Sequence, residues 1–297
     1  MNSSKSILQL VTGGYLVLFF AYLFLPLAFM GIVAFNSSSI PQVAPWEGFT
    51  LEWFVELFGD EQLREALINS IIVGVAVVVI SVPIGLAGAL FLTRLHFKAR
   101  DVLYALLVSP ILTPGIILGI STFLFWDTWF HVTGGLWTAI MGQSTFISAY
   151  CMLLIMARSQ RFDQTQEEAA FDLGATHQQV FWKITLPFLK PAIISSAVLA
   201  FMQSFENYNT TLFAIGFEQT LPIYIGTKLR VFISPAMNAL AVIFIVMTIT
   251  GAILYETRRL REGALKKAVR KKNRESRDTQ HRRGGMPRRR ASAGVNA

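Results

Sequence analysis

The chain has 297 residues, of which 53% are apolar and 15% charged, and its mean hydropathy is +0.51. A soluble chain carries about 25% charge, so the composition excludes an ordinary soluble enzyme or binding module and points to a membrane protein. The net charge of +8 is concentrated at one end: residues 257–297 hold +12 and leave −4 for the rest, so the apolar body is mildly acidic.

Six apolar stretches are long enough to cross a bilayer, which takes about 20 residues each. They run over 12–34, 68–92, 102–125, 135–157, 191–216 and 236–256. None alternates as a barrel strand does, so each must be helical to satisfy its own backbone. The first is too long for a signal-peptide core and contains Pro26. It reads as a span, with residues 1–11 before it. The loop 36–67 follows, with six acids, Trp46, Trp53 and Phe54. Glu52-Trp53-Phe54 suggests an amphipathic segment at the membrane interface; a solvated loop with an aromatic anchor is the simpler reading. Span two holds Gly85 and Gly88, and span three a GxxxG pair, Gly115 and Gly119, which read as sites of close helix packing. Pro110 and Pro114 must distort span three, as a structural kink or as lining of a wet pathway. The single cysteine, Cys151, lies in span four and permits no internal disulfide.

Short basic loops set the orientation. Arg94, Lys98 and Arg100 occupy loop 93–101, and Arg158, Arg161, Lys183 and Lys190 lie in segment 158–190. Both, with the two termini, are expected on the cytoplasmic side. Segment 163–187 reads as two short helices with a turn. Asp163 with Gln166, or Thr165 with Glu168, caps the first; Thr176 with Gln179 caps the second. Gly174 sits where a left-handed residue ends a helix. Pro187 and Pro191 are expected to stop the second helix before span five. Ala169 and Ala170 allow close approach of a partner, Phe171, Leu173 and Val180 offer apolar contact, and Glu168 and Asp172 share a face. The alternative is a solvated amphipathic helix lying on the membrane.

Span five contains Glu206 inside an apolar helix, about 22 Å along from Pro191. A carboxylate at that depth is costly unless it faces a partner or water. Glu206 is therefore a candidate pathway residue for a cationic solute, with Gln203, Asn207 and Thr210 as a hydrogen-bonding rail and Tyr208 beside it. The rival reading is a clamp between helices, or a pair with Arg230. The basic tail, residues 257–297, contains Gly284-Gly285 and Pro287 and is expected to be disordered. It suits anionic lipid or a topology signal better than nucleic acid.

No GxxxxGK[ST] phosphate loop is present, and His96, His131, His177 and His281 are too scattered for a metal set. No nucleophile elbow appears, so no chemistry on a substrate is expected.

Glu168-Ala169-Ala170, Gly174, Ile184, Leu186 and Pro187 stand at fixed offsets. This pattern resembles the EAA signature of the membrane-spanning subunits of ABC importers, in which Glu168 and Gly174 would be the key positions. Phe162-Asp163, Ser109-Pro110, Pro114 to Gly119, Leu221-Pro222-Ile223-Tyr224, Arg230, Ser234-Pro235 and Asn238-Ala239-Leu240 extend the likeness over about residues 10–256. Together they are most similar to the PotC type of spermidine/putrescine permease. The resemblance implies an all-α membrane protein, six transmembrane helices of the type I ABC importer permease fold with a cytoplasmic coupling segment. It also implies a homologous second permease, an ATPase dimer and an extracytoplasmic binding protein that touches the loop 36–67. ATP and Mg²⁺ would sit on the ATPase subunits, with no cofactor on this chain. A pair of acids is common where this chain has Glu206-Asn207, a departure that lowers the local negative charge. Ferric iron, thiamine or a phosphonate are alternative cargoes. An ATPase-independent secondary transporter using Glu206, or a membrane scaffold, are alternatives of other classes.

Overall fold

The computed structural model describes residues 2–94, 98–231 and 234–284, and side chains at 9–94, 98–230 and 234–260. Among them every named element is helical, and the one strand-like pairing is the isolated bridge between Asn36 and Phe49. Five helices are long and apolar enough to span a membrane, and a bent pair supplies a sixth. The elements divide into two units, residues 33–237 and residues 1–32 with 238–297.

The second of these holds most of α1 (Asn2–Phe35) and of α12 (Pro235–Gly284). Large apolar side chains along both are exposed, including Phe24, Leu25, Val246 and Ile253. Such faces suit lipid or another chain. Helix α12 does not stop near residue 256. It continues through Gly284, over residues for which the sequence suggests disorder. That stretch is basic but built from Arg, Lys, Glu, Ala and Leu, all good helix formers, and no proline interrupts it before Pro287. Its first turns carry an Arg259–Glu256 ion pair at 3.6 Å. Gly285, Pro287 and the rest of the basic tail lie outside the described residues, as does His96.

In the larger unit, α3 (Glu61–Arg94), α6 (Leu136–Ser159) and α9 (Leu186–Phe205) pack on one another. Val73, Val77, Ile147, Cys151 and Ala200 form one core layer; Ala89, Leu92, Met152, Ile155 and Leu189 form the next. In lipid such packing rests on close contact rather than on water exclusion. Gly85 shows it: a Cβ there would lie 2.6 Å from Cys151 Cβ and 2.7 Å from the backbone nitrogen of Met152.

The third span is broken. Helix α4 (Arg100–Leu112) meets α5 (Gly115–Phe130) at 102°. Thr113 is extended, as a residue before proline prefers to be, and Pro114 starts the second half. The bend is much sharper than an ordinary proline kink.

Residues 36–60 form a folded cap, not a solvated loop. The Asn36 side chain donates to the carbonyl of Gln42 at 3.0 Å and accepts from the amide of Glu47 at 3.1 Å, and Trp53 Nε1 donates to the Asn36 carbonyl at 2.8 Å. Phe35 stacks on Phe49 and packs against Phe54. The expected amphipathic segment is α2 (Glu52–Gly59), with Leu57 buried. A further helix, α11 (Leu221–Val231), precedes the last span.

Candidate functional site

Segment 163–187 opens with a short helix and a turn, as its spacing predicts, and a second helix begins after them. The first is α7 (Thr165–Asp172), the second α8 (His177–Val180). Asp163 Oδ1 accepts from the Thr165 amide at 3.1 Å and from its hydroxyl at 2.7 Å. These bonds hold the carboxyl below its usual pKa. Thr165 therefore donates to Asp163 rather than pairing with Glu168. Gly174 has φ +83°. Its amide bonds to the Phe171 carbonyl at 2.8 Å and that of Ala175 to the Ala170 carbonyl at 3.0 Å, which closes the end of α7. Thr176 and Gln179 form the reciprocal box expected of them, at 2.9 and 3.4 Å.

The second helix does not end at Pro187. A five-residue π turn, Phe181–Thr185, joins α8 to α9 without a break, and Pro187 sits in the first turn of α9. The Leu186 amide reaches the Phe181 carbonyl five residues back. A wider turn here gives room for a proline ring that would otherwise clash with the preceding turn. Pro191 is carried inside α9.

Glu168, Ala169, Asp172 and Gly174 are exposed, Ala170 is half-buried, Ile184 and Leu186 are half-buried, and Pro187 is exposed. Leu173 is 90% exposed, with Phe171 and Trp182 also open. An apolar tip flanked by two carboxylates is a surface shaped for contact. The residue next to Glu168 behaves differently. Glu167 turns inward onto Arg94, at 2.5 Å, and onto Thr185. Sequence reading did not find this pairing, because 73 residues separate Glu167 from Arg94. The visible signals were two adjacent glutamates and a basic residue at a helix end.

Span five also differs from expectation. It is not one helix from 191 to 216. Helix α9 ends at Phe205, residues 206–208 are non-helical, and α10 (Asn209–Ala214) follows. Asn207 Oδ1 takes the Thr211 amide at 3.2 Å and its hydroxyl at 3.0 Å, so a side chain replaces the helical carbonyl. Below it lies a buried chain: Gln143 Nε2 donates to Thr211 Oγ1 at 2.7 Å, and Ser204 Oγ donates to Gln143 Oε1 at 2.5 Å. Asn207 thus braces the break instead of forming a rail. Thr210 is fully buried and its hydroxyl has no partner. It seats on the glycines of α5: a Cβ on Gly119 would lie 2.4 Å from the Thr210 carbonyl oxygen, and one on Gly115 3.0 Å from its hydroxyl. Thr210 is therefore not part of the exposed rail. Tyr208 packs over Gly226 of α11, where a Cβ would meet its ring at 2.6 Å. Gln203 and Glu206 bond to each other, Gln203 Nε2 donating to Glu206 Oε1 at 3.2 Å, and Gln203, Asn207 and Tyr208 are all half-buried. Glu206 caps α9 and is exposed; it makes no ion pair with Arg230 among the described residues.

Asp60 joins the cap to α11. It accepts from the Tyr224 hydroxyl at 2.7 Å and faces Lys228 Nζ at 3.4 Å. Burial pushes its carboxyl up, but Tyr224, the Leu63 amide and Lys228 together hold it below its usual pKa. Burial and the Asp60 bond push the Tyr224 phenol up. Among the described residues no group of three or more His, Cys, Asp or Glu could hold a metal ion.

Residues 81–257 match the family described as "Binding-protein-dependent transport system inner membrane component". The chain is 32% identical over 237 residues to the putrescine transport system permease protein PotI of Escherichia coli K12, covering 77% of this chain and 84% of that one. It is 29% identical over 249 residues to the spermidine/putrescine transport system permease protein PotC of the same strain, covering 82% and 92%. Its fold is similar to a chain of a bacterial ABC transporter involved in the import of the acidic polysaccharide alginate. The TM-score is 0.66 at 18% identity, over 86% of this chain and 96% of that one.

Proposed function

The chain belongs to the family of binding-protein-dependent transport system inner membrane components, and from that premise we propose that it carries polyamines inward as half of an ATP-driven pore. It is a multi-pass transport permease subunit with the type I ABC permease fold. The relatives PotI and PotC, named for putrescine and spermidine, support the cargo. In this reading a homologous second permease completes the pore, an extracytoplasmic binding protein delivers the solute, and two ATPase subunits bind ATP and Mg²⁺. Both termini and segment 163–187 face the cytoplasm. The binding protein named with one alginate-transporter structure supports a delivery partner in general.

The observation that carries the reading is the exposed tip of α7. Glu168, Asp172 and Leu173 project from a helix whose end is fixed by the left-handed Gly174. That is the geometry of a plug for a groove on a partner. Glu206 supports the pathway reading over the clamp, because it is exposed at the break and its carboxylate, among the described residues, bonds locally to Gln203. The test is uptake of labelled putrescine and spermidine by cells expressing the whole transporter, with and without Gly174→Asp. The expected result is uptake by the parent and its loss in the variant. A complex that assembles and hydrolyses ATP without taking up either amine removes the cargo assignment.

A further inference from the structure

Behind the exposed face of α7 lies a closed triangle of polar groups. Glu167 Oε1 meets Arg94 Nη2 at 2.5 Å and accepts from Thr185 Oγ1, while Arg94 Nη2 also reaches Thr185 Oγ1 at 3.2 Å. The three residues come from three elements: the last residue of α3, the first turn of α7 and the last residue of the π turn. The Glu167 side chain is 14% exposed and that of Arg94 39%, and both line a cavity of about 230 Å³ with Gln164, Ser159 and Arg100.

Two features set this triangle apart from an ordinary surface pair. The first is its place in the sequence. Glu167 immediately precedes Glu168, and Thr185 lies between Ile184 and Leu186. Glu167, just before the recurring set, and Thr185, inside it, thus turn inward, while Glu168 and Ala169 stay exposed. The second is the π turn. Its wider register ends on Thr185, which is 2% exposed, at the triangle. Such turns occur frequently at functional sites. The pair contributes little to stability, because Arg94 can turn to water when its partner is lost. What it does fix is direction: a charge-assisted bond with a second acceptor permits one arrangement of three elements.

We infer that Glu167 is a positioning residue that, through Arg94 and Thr185, ties the docking helix to α3 and to the head of α9. Displacement of α7 by its partner is then delivered to both of these packed spans at once. This rests on the docking reading proposed above.

The test uses the complete transporter in liposomes, with two readouts: ATP hydrolysis stimulated by the loaded binding protein, and labelled putrescine imported per ATP. The variants are Glu167→Gln, Thr185→Val and the exchange pair E167R/R94E. In Glu167→Gln the complex assembles and hydrolyses ATP, but import per ATP falls at least about fivefold, the lower end of coupling between sites. Thr185→Val shifts the ratio the same way by less, and the exchange pair recovers most of the loss. Unchanged import per ATP in Glu167→Gln, or an exchange pair no better than the single variant, overturns the inference. If Glu167→Gln does not assemble, the near-isosteric Thr185→Val decides: a lowered ratio supports the tie and an unchanged one overturns it. A parent complex that couples hydrolysis to another solute removes only the cargo reading, and the same ratios are then read with that solute.

Discussion

A Cβ at position 119 would lie 2.4 Å from the carbonyl oxygen of Thr210, a backbone atom that no rotamer change can move aside. Gly119→Ala is therefore expected to push α10 off α5 and to cost about 1–3 kcal/mol, as overpacking does. A lowered midpoint of thermal unfolding in detergent checks this, and an unchanged midpoint removes the argument. Glu206 is the opposite kind of residue, exposed, with its carboxylate bonded, among the described residues, to Gln203. Glu206→Gln should leave assembly intact and lower putrescine uptake about tenfold, the equivalent of ~1.4 kcal/mol of lost cation attraction. Uptake at the parent level by an assembled complex would return Glu206 to a structural role.

At the level of elements, Asp60 holds the cap to α11 through Tyr224 and Lys228. Its folded pKa lies below the unfolded value of about 3.9, so its contribution is present above that pH and is lost as pH falls through the folded value. Protection of the α11 amides, measured against their intrinsic exchange rate at each pH, should fall below about pH 4. Asp60→Ala should exchange fast at neutral pH and show no such acid step. The elements themselves were largely legible in the sequence. Spans came from apolar run length, α7 and α8 from cap residues and Gly174, and the trouble in span three from Pro110 and Pro114. The break after Phe205 was not, because Asn207 ends α9 only by capping α10 over the buried chain of Gln143 and Ser204. Composition places such polar residues in an apolar stretch without saying whether they face a pathway or one another. Thr210 is buried against α5, while Asn207 is half-buried and its side chain bonds back to Thr211. The inward turn of Glu167 was hidden for the same reason: its partners are 73 and 18 residues away. Beyond residue 256 the Lys, Arg, Glu, Ala and Leu content favours helix, although the charge there suggests disorder.

For the molecule as a whole, the bend between α4 and α5 bears on how the chain enters the membrane. The halves have 13 and 16 residues, or about 20 and 24 Å of helix, against a hydrocarbon layer of about 30 Å. Neither half crosses alone. The surface that receives Gly115 and Gly119 is α10, which leaves the ribosome some 90 residues after them. The corner at Thr113 and Pro114 is set locally, but α5 is expected to settle only once α10 has been made. A cysteine placed at Ile120 should react differently with an aqueous thiol reagent on ribosome-arrested chains ending before Tyr208 than on the finished protein. Equal reactivity would show that α5 settles without its seat. The last third of the gene thus completes the shape of the middle, and a chain cut short in span five would leave α5 without its seat.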